Sequence, residues 1–126
     1  MTGPVRILIV DDDRDTLQLV ELVLRSAGLE VVRAENGREA LERLAADLPA
    51  LVLCDVLMPE MDGFETLVRI RNDPRTMHLP VIMLSALGQE KDVQRALDYG
   101  ANSYVSKPFS LRRLVAEVTS YLPGSG

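Results

Sequence analysis

Tryptophan is absent, cysteine and histidine occur once each, and aromatic residues make up only 4% of the 126 positions. A single cysteine, Cys54, can form neither an internal disulfide nor a thiolate metal cluster, so it reads as a small buried hydrophobe of a cytoplasmic protein. The scarcity of aromatics leaves little to stack on a flat cofactor ring. No apolar run approaches the ~20 residues needed to cross a bilayer, and Met1–Arg6 leads into a strand without the layout of a signal peptide. Positive charge is also in short supply. Fourteen Lys and Arg against nineteen Asp and Glu leave a net charge of -5 and a pI near 4.8, which argues against this chain gripping nucleic acid unaided. What is present, 47% hydrophobic and 26% charged residues, is the balance of one folded domain. A chain of this length buries roughly two-thirds of its surface around a single core.

Patterning predicts strands alternating with helices. Val5–Val10 is a β-branched apolar run, hence a buried strand, and Asp11-Asp12-Asp13 ends it. A helix follows from Arg14 to Ala27, with Leu17, Val20, Val23, Leu24 and Ala27 on one face and Gly28 as its C-cap. Val31-Val32 is a short second strand, and Asn36-Gly37 turns into a helix from about Arg38 that presents Ala40, Leu41, Leu44, Ala45 and Leu48. The third strand, Leu51-Val52-Leu53-Cys54, runs into Asp55 and is stopped by Met58-Pro59. Asp62 is placed to cap a helix carrying Phe64, Leu67, Val68 and Ile70, which ends near Asp73-Pro74. Pro80–Leu84 gives a fourth strand, ended by Ser85-Ala86. Glu90–Tyr99 gives a helix with Val93, Ala96 and Leu97 inward, closed by Gly100. Tyr104-Val105 forms a short fifth strand before Lys107-Pro108, and Leu111 to about Leu122 a last helix burying Leu111, Leu114, Val115, Val118 and Leu122. Residues 1–122 are expected to form the domain, and 123–126 a flexible tail or the start of a linker.

This alternation implies an α/β fold: a doubly wound, five-stranded parallel sheet in flavodoxin-like order 2-1-3-4-5 with helices on both faces. In that order the first and third strands are neighbours, and ligands sit off their carboxyl ends. Taken alone, Asp55 reads equally well as a turn residue or a ligand. The sequence, however, delivers Asp11, Asp12 and Asp13 from strand one, Asp55 from strand three, Ser85 from strand four and Lys107 from strand five to the same edge. Gathered carboxylates repel and need compensation, and hard oxygen donors suit Mg²⁺. An aspartate beside such a cation is a competent nucleophile toward phosphorus. A lysine and a hydroxyl then stabilise the transferred charge.

The chain resembles the receiver domains of two-component response regulators over essentially its whole length. The resemblance rests on Val10-Asp11-Asp12, Asp55-Val56-Leu57-Met58-Pro59-Glu60-Met61-Asp62-Gly63, Ser85-Ala86 and Tyr104-Val105-Ser106-Lys107-Pro108-Phe109. It implies that Asp55 accepts the phosphoryl group, and that Asp11 and Asp12 hold Mg²⁺ with Asp12 the more direct ligand. Asp55 itself and the Leu57 carbonyl would complete the protein's share of the metal shell. Ser85 and Lys107 would bond the phosphoryl oxygens, the Lys107-Pro108 peptide would be cis, and Tyr104 would turn inward as Ser85 is drawn away. The implied donor is a histidine kinase or phosphotransfer protein. The implied output is a change in the face formed by the fourth helix, fifth strand and fifth helix, where a second copy or an output partner binds. Such a domain is a regulatory switch rather than an enzyme on other substrates. No membrane association is expected of it.

Some residues take plainer roles. Asp13 reads as the cap of the first helix, His78 as a surface residue, and Arg112-Arg113 as a solvated face. Leu57 and Leu87 are apolar where many receivers carry polar residues, which implies exclusion of hydrolytic water and slow autodephosphorylation. Asn102-Ser103 replaces acidic residues that one DNA-binding subfamily uses in its dimer face. The alternative function is a Mg²⁺-dependent phosphatase of the haloacid-dehalogenase type, with Asp11 as nucleophile and Asp13 as acid/base. That reading leaves no room for a cap and does not explain Met58-Pro59 or Lys107-Pro108. A flavin carrier lacks its phosphate loop here. A calcium loop over Asp11, Asp13 and Asp15 fails at Thr16 and Leu22, where glycine and glutamate are required.

Overall fold

The computed structural model describes residues 5–58, 60–86 and 89–122. In chain order the elements are β1 (Arg6–Val10), α1 (Arg14–Ser26), β2 (Glu30–Ala34), α2 (Gly37–Ala46), β3 (Leu51–Asp55), α3 (Gly63–Arg71), β4 (Val81–Ser85), α4 (Glu90–Asp98), β5 (Ser103–Ser106) and α5 (Leu111–Ser120). The strands form one sheet in the order β2-β1-β3-β4-β5, and every pairing is parallel. This is the expected α/β architecture.

Strand side chains alternate between the two faces, and each face carries its own core. Ile7, Ile9, Leu51, Leu53, Ile82 and Leu84 pack with Leu17, Val20 and Leu24 of α1 and Leu114 and Val118 of α5. Leu8, Val10, Val52, Cys54, Val81 and Met83 pack with Ala40 and Leu44 of α2, Phe64, Leu67 and Ile70 of α3 and Ala96 of α4. All five residues of β3 are buried, as are all five of β4, as strands covered by helices on both sides must be.

Register carries this order to the functional edge. Val10 pairs with Cys54, so Asp11 and Asp55 leave the sheet side by side, and Ser85 pairs with Ser106, immediately before Lys107. Helix starts are fixed by side chains that accept the orphan N–H groups of the first turn. Asp13 accepts from the Asp15 amide, Asn36 from Glu39, Asp62 from Glu65 and Ser110 from Arg113. Gly28 takes φ 87° after the Ala27 cap, which ends α1 one residue earlier than expected.

Several residues expected in the core are not there. Leu97 is 43% exposed, Leu111 38%, Leu48 38% and Val68 36%, and Ala27 and Ala45 are also exposed. Helical spacing assigns an apolar stripe wider than the sheet can cover, and Leu48 lies beyond the end of α2. Asn102 is not a free surface residue either. Its Oδ1 accepts from the Val81 amide at 2.9 Å and from Arg71 at 3.0 Å, while Ser103 donates to Glu117 at 2.8 Å. Residues 123–126, Met1–Pro4, Pro59, Leu87 and Gly88 lie outside the described residues.

The contrast between two leucines tests this core. Leu67→Ala, at a wholly buried site, is expected to cost about 2–5 kcal/mol in urea unfolding. Leu97→Ala is expected to stay within about 0.5 kcal/mol of the parent. Equal losses at the two positions would contradict the packing of α4.

Candidate functional site

The carboxyl edge of the sheet gathers four of the expected side chains, Asp11, Asp12, Asp55 and Lys107, into one cluster. Asp11, only 2% exposed, has one carboxylate oxygen accepting from the Asp13 amide at 2.9 Å. Its other oxygen accepts from the Lys107 Nζ, also at 2.9 Å. The same ammonium stands 3.6 Å from Asp55 Oδ1, so Lys107 lies between the two acids but closer to Asp11. Asp12 is exposed, and one oxygen from each of Asp11, Asp12 and Asp55 falls within 4.8 Å of the others. This is a compact set of hard donors open to solvent on one side, a donor set that fits a small oxygen-seeking dication.

The electrostatics separate the roles of these groups. Burial pushes the Asp55 carboxyl up to about 6, and the neighbouring Asp11 charge adds to it. Lys107 and the Leu57 backbone N–H, which bonds to the carboxylate, oppose the rise, and Asp12 adds a smaller push upward. Burial pulls the Lys107 ammonium down, but the hydrogen bond to Asp11 and the charges of Asp11 and Asp55 outweigh it and hold the group above its ordinary value. Lys107 therefore stays cationic at neutral pH. Burial and the Asp55 charge raise the Cys54 thiol, whose Sγ contacts the Asp55 carbonyl at 3.4 Å, so it is no competing nucleophile.

The remaining expected groups take up the sides of the site. Ser85 is fully buried at the end of β4, and its hydroxyl is hydrogen-bonded to that of Tyr104, a partly buried ring packed on the α2–α3 side of the sheet. The Lys107 amide donates to the Ser85 carbonyl at 2.7 Å, and the Lys107–Pro108 peptide is cis. Leu57 follows β3 with its side chain 51% exposed, whereas Leu87 falls outside the described residues. Asp13 turns away from the cluster. Its carboxylate is held by the Thr16 hydroxyl at 2.7 Å and the Asp15 amide at 3.1 Å. Those bonds keep it below the usual carboxylate range, unsuited to proton transfer at neutral pH. His78 is exposed, in the loop before β4.

Gly63, the last residue of the motif that begins at Asp55, shapes the site through its backbone. Its amide donates to the Val56 carbonyl at 2.9 Å, and a Cβ there would overlap the Asp55 carbonyl oxygen. Glycine lets α3 begin directly against the end of β3 and so fixes the backbone that carries Asp55. The available signal was a glycine at the first helical position, where better helix formers are the rule.

Comparison with known proteins agrees with this geometry. The family model for the response regulator receiver domain matches residues 7–119. An uncharacterized protein of Leptolyngbya boryana is 45% identical, over 91% of this chain and 88% of its own. The DNA-binding dual master transcriptional regulator RpaA of Synechocystis is 42% identical over 93% of this chain but only 48% of its own length. The chain thus spans about half the length of that regulator. Among solved structures, a putative response regulator from Chloroflexus aurantiacus superposes with a TM-score of 0.90 at 43% identity, covering 94% of this chain and 98% of its own. The chemotaxis protein CheY4 of Vibrio cholerae gives 0.90 at 31% identity, covering 95% and 100%. The alternative phosphatase reading finds no support among these matches.

The raised Asp55 carboxyl makes stability depend on pH in a definite sense. Between its ordinary 3.8 and about 6 the folded protein holds a proton that the unfolded chain has released, so stability falls as pH rises through that window. Without divalent cations, Asp55→Asn is expected to be more stable than the parent by about 2 kcal/mol near neutral pH. The gain should vanish below about pH 4. Urea midpoints across this range check it, and a variant less stable than the parent at neutral pH would contradict it.

Proposed function

The chain belongs to the response regulator receiver domain family, and on that premise we propose that it is a signalling switch phosphorylated on Asp55. As a receiver domain it is a regulatory element that pairs with histidine kinases. The finer assignment concerns which residues do what. It is carried by one observation: Asp55 is the buried carboxylate of the cluster that Lys107 compensates least.

In this reading the Asp55 carboxylate attacks the phosphorus of a phosphohistidine, on a histidine kinase or a phosphotransfer protein. The new bond is P–O, and the P–N bond breaks. At neutral pH Asp55 is already largely ionised, so no separate base is required. Asp11, Asp12, Asp55 and the Leu57 carbonyl would hold Mg²⁺, which when bound neutralises charge on the phosphoryl oxygens. Lys107, poised between Asp11 and Asp55, supplies a fixed positive charge to the incoming group. The Ser85 hydroxyl supplies a hydrogen bond, and Tyr104, already bonded to it, follows its movement. The phosphoryl group adds about -1.5 to -2 charge, and holding it shifts the population of the face formed by α4, β5 and α5. A second copy or an output partner reads that face.

We place the receiver at residues 1–122 and 123–126 as tail or linker. Its acidic balance gives it no direct role on nucleic acid. None of the helices among the described residues is long and apolar enough to cross a membrane. A cytoplasmic setting accords with the lone buried thiol of Cys54.

Incubation with acetyl phosphate and Mg²⁺ tests the assignment. Intact mass is expected to rise by one phosphoryl group, the rise being lost in Asp55→Asn and when EDTA removes the metal. Turnover of generic phosphomonoesters that Asp11→Asn abolishes and Asp55→Asn spares would overturn it. The exposed Leu57 side chain next to the acceptor supports slow loss of the group, since an apolar side chain offers hydrolytic water no polar partner. The phosphorylated parent is expected to outlive phosphorylated Leu57→Asn several-fold, followed by loss of label. A much shorter half-life for the parent would contradict this.

A further inference from the structure

The first residue of α2 and the first residue of α3 are both glycine, and both are buried. Helix propensity disfavours glycine, and neither Gly37 nor Gly63 takes a positive φ. Each marks a place where another part of the chain comes too close for a side chain. At Gly63 that part is the acceptor strand: an added Cβ would overlap the Asp55 carbonyl oxygen and lie 2.7 Å from Val56 Cα. At Gly37 it is α3 itself. A Cβ there would overlap Thr66 Oγ1 and come within 3.0 Å of both Cγ and the carbonyl oxygen of Met61. Thr66 stands three residues after Gly63, so the two lie on neighbouring parts of one helix face. The first turn of α3 therefore rests on two backbones, the end of β3 and the start of α2.

Neither support yields easily. Thr66 is fully buried, its hydroxyl donates to the Asp62 carbonyl at 2.9 Å, and its β-branched side chain has few rotamers to move to. The start of α2 is fixed by two bonds: the Glu39 amide donates to Asn36 Oδ1 at 2.8 Å, and the Glu35 amide to Glu39 Oε1 at 3.2 Å. Just before Glu35, the Ala34 carbonyl accepts from the Asp11 amide at 3.1 Å. On the other side, the Gly63 amide donates to the Val56 carbonyl at 2.9 Å, and the Val56 amide to the Leu84 carbonyl at 3.1 Å. The amide of the next residue, Leu57, bonds to the Asp55 carboxylate. These contacts run from Asp11 through Ala34, α2 and α3 to Asp55, and the pairing of Val10 with Cys54 closes them into a ring. Two of the three clustered acids sit at its closure.

We propose that Gly37 is a positioning residue of the acid cluster: by admitting Thr66 against the start of α2 it seats α3 on Val56, and so sets Asp55 and the Leu57 carbonyl relative to Asp11. Gly37 touches none of the clustered side chains and acts only through α3. The inference rests on the phosphorylation reading for what the cluster binds, whereas the seating of α3 is a property of the metal-free protein. It also names the group that a side chain at position 37 would strike. Removing Thr66 Oγ1 makes room for that side chain, so the two positions are coupled.

Mg²⁺ titration of the whole chain followed by amide NMR, with hydrogen exchange on the same variants without metal, tests this. Gly37→Ala is expected to weaken Mg²⁺ binding about ten-fold. Its exchange at Val56 and Gly63 is expected to quicken about ten-fold relative to Ile9 and Leu53 in the sheet. In Gly37→Ala/Thr66→Ala the hydroxyl no longer stands in the way, and Mg²⁺ affinity is expected to return to within about two-fold of Thr66→Ala alone. Parent-like affinity in Gly37→Ala would overturn the positioning role, as would a double variant that binds no better than Gly37→Ala. Should Gly37→Ala fold poorly, Thr66→Ala alone removes the contact from the α3 side and is expected to speed exchange at Gly63 about three-fold. Unchanged exchange there would overturn the seating. A parent that binds no Mg²⁺ would sink the metal site of the phosphorylation reading, while exchange in the metal-free variants still decides whether Gly37 seats α3.

Discussion

One lysine serves two buried acids, and it sits nearer to the wrong one for full neutrality. Lys107 makes its hydrogen bond to Asp11 at 2.9 Å and reaches Asp55 only at 3.6 Å. Removing a carboxylate from water is costly unless an opposite charge accompanies it, and Asp55 is 5% exposed with a half-share in one cation. The molecule therefore carries an unmet demand for positive charge at one oxygen pair. In the proposed reading a dication held by Asp11, Asp12 and Asp55 would supply that charge, and Lys107 would add its own toward an incoming phosphoryl group. The raised Asp55 carboxyl predicts a resting domain that is less stable near neutral pH than one with a neutral residue there.

The rest of the fold keeps that mismatch in register. Parallel pairing of β1 with β3 sets Asp11 beside Asp55, and pairing of β4 with β5 brings Ser85 level with Ser106, one residue before Lys107. The amide of Lys107 on the Ser85 carbonyl holds the lysine's backbone at that height. From below, the two cores clamp β3 on both faces. From the side, Gly63 lets α3 start in contact with the Asp55 backbone. Each of these constraints is geometric rather than chemical, so the clustered polar groups are held in place by backbone pairing and packing outside the cluster.

Sequence showed most of this plan because the plan is built on strand ends. Apolar runs that stop at a polar residue mark both the buried strand and the edge where its ligand emerges. Asp11, Asp55, Ser85 and Lys107 were legible for that reason, as was Asp13 as a cap. Tertiary balance was not legible. Nothing in the order of residues says that Lys107 favours Asp11, at 2.9 Å, over Asp55, at 3.6 Å, since that preference is fixed by less than an ångström between strands far apart in the chain. Helical spacing likewise overstated burial at Leu97 and Leu111, because it cannot see how far the sheet extends beneath a helix. Asn102 read as a surface substitution, yet its carboxamide joins β4 to Arg71. That role depends on a contact spanning thirty-one positions, which no local pattern encodes.

The central claim is that, of three clustered aspartates, the one left short of charge is the one that bonds to phosphorus. Reductive trapping decides it most directly. The protein is phosphorylated with acetyl phosphate and Mg²⁺, the acyl phosphate is reduced with borohydride to homoserine, and the modified residue is located by peptide mass spectrometry. The account predicts homoserine at position 55 and at neither 11 nor 12. Modification at Asp11 or Asp12, with Asp55 intact, would contradict it.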